Sequence, residues 1–104
     1  MNSYNKYTDL QINELVATRL KKKCLLTEES VLAYMDSGYR TFDPCNNPTD
    51  AMPIINEYGI SLIYQDRKFQ FATNDGNIEC SVSNPLKAAM IIFMCIKDAD
   101  DEKV

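Results

Sequence analysis

Cys45 is the residue in this chain with the clearest claim to chemistry. It lies in the stretch DPCNNPTDAMP (43–53), between Pro44 and Asn46. Backbone amides at a nearby helix start would lower a thiol pKa there and make a nucleophile. A cysteine nucleophile also needs a base, most often histidine, and the chain has none. The carboxylates of the body, such as Asp43, Asp50, Glu57 and Asp66, recur at no spacing that pairs an acid with a base. The three glycines, at 38, 59 and 76, cannot build a phosphate-binding loop. Cys24, Cys45, Cys80 and Cys95 form no Cys-x-x-Cys pair, so no metal site is expected, and no cofactor. The plainer reading of Cys45 is a cysteine packed into a loop, with Cys80 and Cys95 as small core residues. What remains as a candidate binding site is the loop itself, through Asp43, Cys45, Asn46, Asn47 and Asp50.

Prolines at 44, 48 and 53 fix φ across this loop. Asp43, Asn46 and Asn47 can close Asx-turns on their own backbone. A rigid segment is therefore expected, leading into a short middle helix from Thr49 or Asp50 to Tyr58. Pro53 fits that helix only in its first turn, and Gly59 ends it. Upstream, Thr8 and Gln11 have capping-box spacing, and Ile12, Leu15, Val16 and Leu20 make one apolar stripe. A short N-terminal helix follows. Residues 24–42 read as a helix from Thr27 or as a hairpin turning at Asp36-Ser37-Gly38, and the hairpin is preferred.

Three short strands come next, with Ile60, Leu62 and Tyr64 on one face of the first. Phe69 and Phe71 serve the second, and Ile78, Cys80 and Val82 the third. The turns Gln65-Asp66-Arg67 and Asn74-Asp75-Gly76-Asn77 favour an antiparallel meander. Asn84 and Pro85 then open a last helix that is apolar nearly all round from Ala88 to Ile96. Such a helix is buried on several sides or meets a second chain. Ile91, Ile92, Phe93 and Met94 are the interface candidates for a homodimer. The fold class is thus α+β: a small antiparallel meander of at least three strands under a buried C-terminal helix, with short N-terminal and middle helices.

The 104 residues suit one domain, taken as 1–97, with 98–104 (DADDEKV) as an acidic tail that frays after Lys97. The tail holds most of the net charge of −4, so the body is nearly neutral. That disfavours nucleic acid as a partner, and Arg19 with Lys21–Lys23 reads as a solvated helix C-terminus. No apolar run is long enough for a membrane span and the N-terminus has no secretory pattern. A cytoplasmic protein with free thiols is expected.

FDPCNNPTDAMPIINEYGISL at 42–62 and NPLKAAMIIFM at 84–94, with YTDLQINELVA at 7–17, resemble the NinX-like family of lambdoid phages and prophages. Met52 stands where that family usually has tryptophan, and residues 21–41 depart from its pattern. The resemblance implies phage origin, expression inside a bacterium and an accessory role, and it transfers no catalytic residue. The expected function is non-enzymatic binding of a host or phage protein, including inhibition of a restriction or CRISPR effector. A small enzyme or ligand-binding domain on the Asp43–Asp50 loop is the alternative, together with a factor in phage DNA metabolism.

Overall fold

A computed structural model describes residues 3–102, with side chains placed for 4–100. A short 3-10 turn (Ser3–Lys6) precedes α1 (Asp9–Arg19). Strands β1 (Cys24–Leu26), β2 (Val31–Met35) and β3 (Gly38–Thr41) form one antiparallel sheet in that order. After α2 (Pro48–Tyr58), strands β4 (Ile60–Gln65), β5 (Lys68–Asn74) and β6 (Ile78–Cys80) form a second. Helix α3 (Pro85–Glu102) closes the chain. The α+β class is as expected, with two three-stranded sheets rather than one meander plus a hairpin.

The capping box forms: Thr8 Oγ1 accepts from Gln11 N–H, and Gln11 Oε1 accepts from Thr8 N–H. Helix α1 ends in a Schellman turn, with Lys22 N–H on Ala17 C=O and Lys21 N–H on Thr18 C=O. Lys21 supplies the left-handed residue, at φ 59°, where glycine is usual. Helix α2 starts earlier than the residue pattern suggests, because Asn47 caps it through Thr49 N–H and Pro48 takes the first position. Pro53 therefore lies in the second turn, a correction to the expected first-turn placement. Gly59 ends α2 at φ 64°.

Helix α3 is the centre of the molecule. It contacts β4, β5 and β6 on one side and α1 and α2 on others. Ala88 to Met94 are all buried, which accounts for a helix apolar all round. Ile91, Ile92, Phe93 and Met94 each have 0% exposure within the single chain, so they are core residues with no face left for a second copy. The expected interface at these four residues is corrected on that ground. The expected fraying after Lys97 is corrected too: the helix runs on to Glu102. Asp98 explains the extension, since it pairs with Arg19 at 2.6 Å and accepts from the Tyr4 hydroxyl. The last two residues of the acidic tail lie outside the described residues.

In the second sheet a bulge at Ile63/Tyr64 shifts the register against β5. Phe69 packs against the core, whereas Phe71 pairs with Ile63 on the other side and Ala72 takes the buried position. The expected shared face of Phe69 and Phe71 is corrected by that bulge.

Candidate functional site

The asparagine-rich loop lies where α1, α2 and α3 meet, and most of its polar groups are used inside the chain. Asn13 on α1 is buried and satisfied at both ends, donating to Asp43 Oδ1 at 2.7 Å and accepting from Cys45 N–H at 3.1 Å. Asn46 Nδ2 donates to Asp9 Oδ2 at 3.1 Å and to Asp43 Oδ1 at 3.2 Å. Asn84, at the start of α3, donates to Cys45 C=O at 2.7 Å and to Asn46 Oδ1 at 3.1 Å. Its own oxygen caps α3 by accepting from Leu86 N–H at 3.0 Å. Asp50 Oδ2 takes Asp43 N–H at 2.9 Å, and Lys87 Nζ pairs with Asp9 Oδ1 at 3.1 Å.

All five loop candidates are thus brought together, with Asp9, Asn13, Asn84 and Lys87 added from two helices. Local spacing offered no signal for those four, because Asp9, Asn13 and Asn84 lie 30 or more residues from their loop partners and Lys87 joins only through Asp9. A network whose members satisfy one another fixes geometry and leaves few groups for a ligand. Asn47 and Asp50 reach a neighbouring groove of about 500 Å³ between α2 and the inner face of the first sheet. Its lining includes the apolar Met35, Phe42, Ile54 and Tyr58, the cations Lys22 and Arg40, and the acids Asp50 and Glu57 of α2. Lys22 is already held over the Phe42 ring, 5.5 Å from its centroid.

Cys45 is buried at 0% exposure, and its thiol contacts Asp9 C=O at 3.7 Å. Burial, then the Asp9 and Asp43 carboxylates, push its pKa up to about 12, only partly opposed by Lys87. No helix start lowers it, contrary to the condition a nucleophile requires. Burial raises the Asp9 carboxyl, but bonds from Asn46 and Lys87 outweigh that and hold it below its ordinary value. Both shifts point away from neutrality, the range in which acid–base turnover works. All four cysteines are free. No group of three metal-binding side chains converges among the described residues.

A different feature was not read from the sequence: the outer face of the first sheet. The register places Leu25 opposite Leu32 and Tyr34 opposite Tyr39. Alternation puts Leu32 and Tyr34 on one side of β2, so all four share a face. The other side, with Val31 and Ala33, is buried. Leu25, Tyr34 and Tyr39 remain 51%, 47% and 38% exposed, with the two tyrosine rings edge to face at 5.3 Å.

The family model for bacteriophage P22 NinX matches residues 3–97, including the 21–41 segment where the loop-based resemblance was thin. The chain belongs to the phage P22 NinX family. No curated protein and no solved structure gives a match. NinX membership makes this a phage accessory protein, and the network residues Asn13, Asp43, Cys45, Asn46 and Asn84 all fall inside the matched span. None of the described helices is long and apolar enough to cross a membrane.

Proposed function

We propose that this NinX-family chain acts without catalysis, by binding a host or phage protein through the outer face of its first sheet. The observation that supports it is the Leu25–Leu32–Tyr34–Tyr39 face, which no described element of the chain covers. Tyrosine and leucine side by side supply area, and the phenol tips supply hydrogen bonds, the combination enriched at protein interfaces. The loop cluster supports the same reading from the other direction. Its polar groups are spent on one another, and its perturbed groups move away from neutral pH. Within this reading the partner class we favour is a host-defence effector, since a small phage accessory protein that only binds achieves most by blocking an enzyme.

The test is paired capture in infected cells. Wild type and a Tyr34→Arg/Tyr39→Arg variant are each cross-linked and their partners compared, with circular dichroism confirming that both fold. We expect one host or phage protein to be captured by the wild type and lost from the variant, along with the phage growth benefit. Capture and phenotype untouched by the double substitution would remove the reading. The ligand-binding alternative rests on the groove beside Asn47 and Asp50. It predicts instead that Arg40→Ala/Asp50→Ala removes the benefit while the tyrosine variant keeps it.

A further inference from the structure

Strand β1 is three residues long and stands at the edge of its sheet, with β2 on one side only. Tyr34 N–H donates to Lys23 C=O, and Thr27 N–H donates to Ser30 C=O. Residues 23, 25 and 27 therefore turn their backbone groups to β2. Alternation turns the N–H and C=O of Cys24 and Leu26 outward, to the open edge. Leu25 and Leu26 stand 51% and 53% exposed there. Natural edge strands are guarded by shortness, a charge on the strand, a proline or a bulge; β1 is short, but it carries no charge, proline or bulge within Cys24–Leu26.

The charges lie on either side instead, and they have opposite sign. Lys21, Lys22 and Lys23 precede the strand, and Glu28 and Glu29 follow it. Lys21, Lys23, Glu28 and Glu29 are exposed. None of these four makes an ion pair with another described residue. A segment that runs basic, apolar, acidic matches its own reverse. We propose that β1 pairs antiparallel with β1 of a second copy, joining two first sheets into one continuous sheet across a two-fold axis at Leu25.

Three constraints select the same register. Hydrogen bonds require an outward-facing residue opposite another outward-facing one, which places Cys24 opposite Leu26 of the second copy. Cys24 N–H then donates to that Leu26 carbonyl and Leu26 N–H to that Cys24 carbonyl, with the reciprocal pair supplied by symmetry. Leu25 meets its own copy on the outer face, removing both leucines from water. In this register the lysines before one strand flank the glutamates after the other, and Lys23 sits opposite Thr27. Moving the centre to Cys24 or Leu26 keeps the hydrogen bonds but loses part of the charge match. The proposal is separate from the partner reading above, because its test needs purified protein alone.

Two charge-reversed chains test it, one with Lys21→Glu/Lys23→Glu and one with Glu28→Lys/Glu29→Lys. Sedimentation equilibrium should show dimeric wild type, and each reversed chain alone should dimerise more weakly by roughly tenfold or more. An equimolar mixture of the two should recover a mixed dimer, since three of its four opposed charge pairs are attractive and only the unchanged Lys22 of one chain meets a like charge at position 28 of the other. Leu25→Cys should cross-link to its own copy under mild oxidation, because directly opposed side chains lie within disulfide reach. Wild type that stays monomeric at high concentration overturns the proposal. So does a dimer that ignores both reversals, or a mixture that fails to recover one.

Discussion

At the scale of single residues, the neighbours of Cys45 decide its chemistry. Asp9 and Asp43 face it, and Lys87 is the cation that partly offsets them. Burial first, and then those carboxylates, raise the thiol to a pKa near 12, so it is protonated at neutral pH and inert to alkylation. In native protein, iodoacetamide should therefore modify Cys24 first and leave Cys45 until denaturant is added. Mass-spectrometric labelling at Cys45 at the rate of Cys24 would contradict this. Asn13 carries the greater structural weight. Asn13→Ala leaves Cys45 N–H and the Asp43 carboxylate without a shared partner, at a cost of about 2–3 kcal/mol in chemical denaturation. The loop residues Asp43, Asn46 and Asn47 were legible as turn formers from their own chemistry. Their partners were not, because a hydrogen bond between Asn13 and Asp43 leaves no trace in local spacing.

At the scale of elements, signals confined to neighbouring residues were readable and signals set by tertiary contact were not. The Thr8–Gln11 box, Gly59 and the Asn84-Pro85 start of α3 each needed only a few residues of context. Strand β1 was missed because three residues flanked by charge carry no periodicity, and pairing with β2 makes it a strand. The Schellman end of α1 was hidden in the same way, because lysine fills the left-handed position normally marked by glycine. That substitution has a measurable consequence. A side chain at φ 59° costs about 1 kcal/mol, so Lys21→Gly should raise thermal stability by roughly that amount, less the entropy glycine adds to the unfolded chain. A fall in the melting temperature would show that the lysine makes a compensating contact. On α3, Phe93→Ala should cost about 3–5 kcal/mol, because the ring is fully buried and stacked edge to face on Tyr58 at 5.0 Å. The loss should appear as unfolding with no change in oligomeric state, which separates a core residue from an interface residue.

At the scale of the whole molecule, the first and last described elements are tied together. Tyr4, in the opening 3-10 turn, donates its hydroxyl to Asp98 on the last turns of α3, and Arg19 at the end of α1 pairs with the same carboxylate. Burial, and then the hydrogen bond to Asp98, raise the Tyr4 pKa from 10.0 to about 12, against a lowering by Arg19. The folded state therefore holds this phenol protonated where the unfolded chain would release the proton. Its contribution to stability is fully present below pH 10 and is lost as the pH climbs from 10 towards about 12. Cys45 acts with the same sign from its ordinary 9.0 upward, and Cys80 and Cys95, whose thiols burial also raises, add to the same alkaline limb of stability. Tyr4→Phe should make the limb shallower above pH 10 and lower stability at neutral pH, since Asp98 loses a donor. Cys45→Ala should make the limb shallower from about pH 9 and leave the Tyr4 contribution in place. Denaturant midpoints measured from pH 7 to 12 on the wild type and both variants check this. A Tyr4→Phe curve parallel to the wild type through pH 10–12 would show that the phenol titrates as it does in the unfolded chain and adds nothing to the alkaline limb.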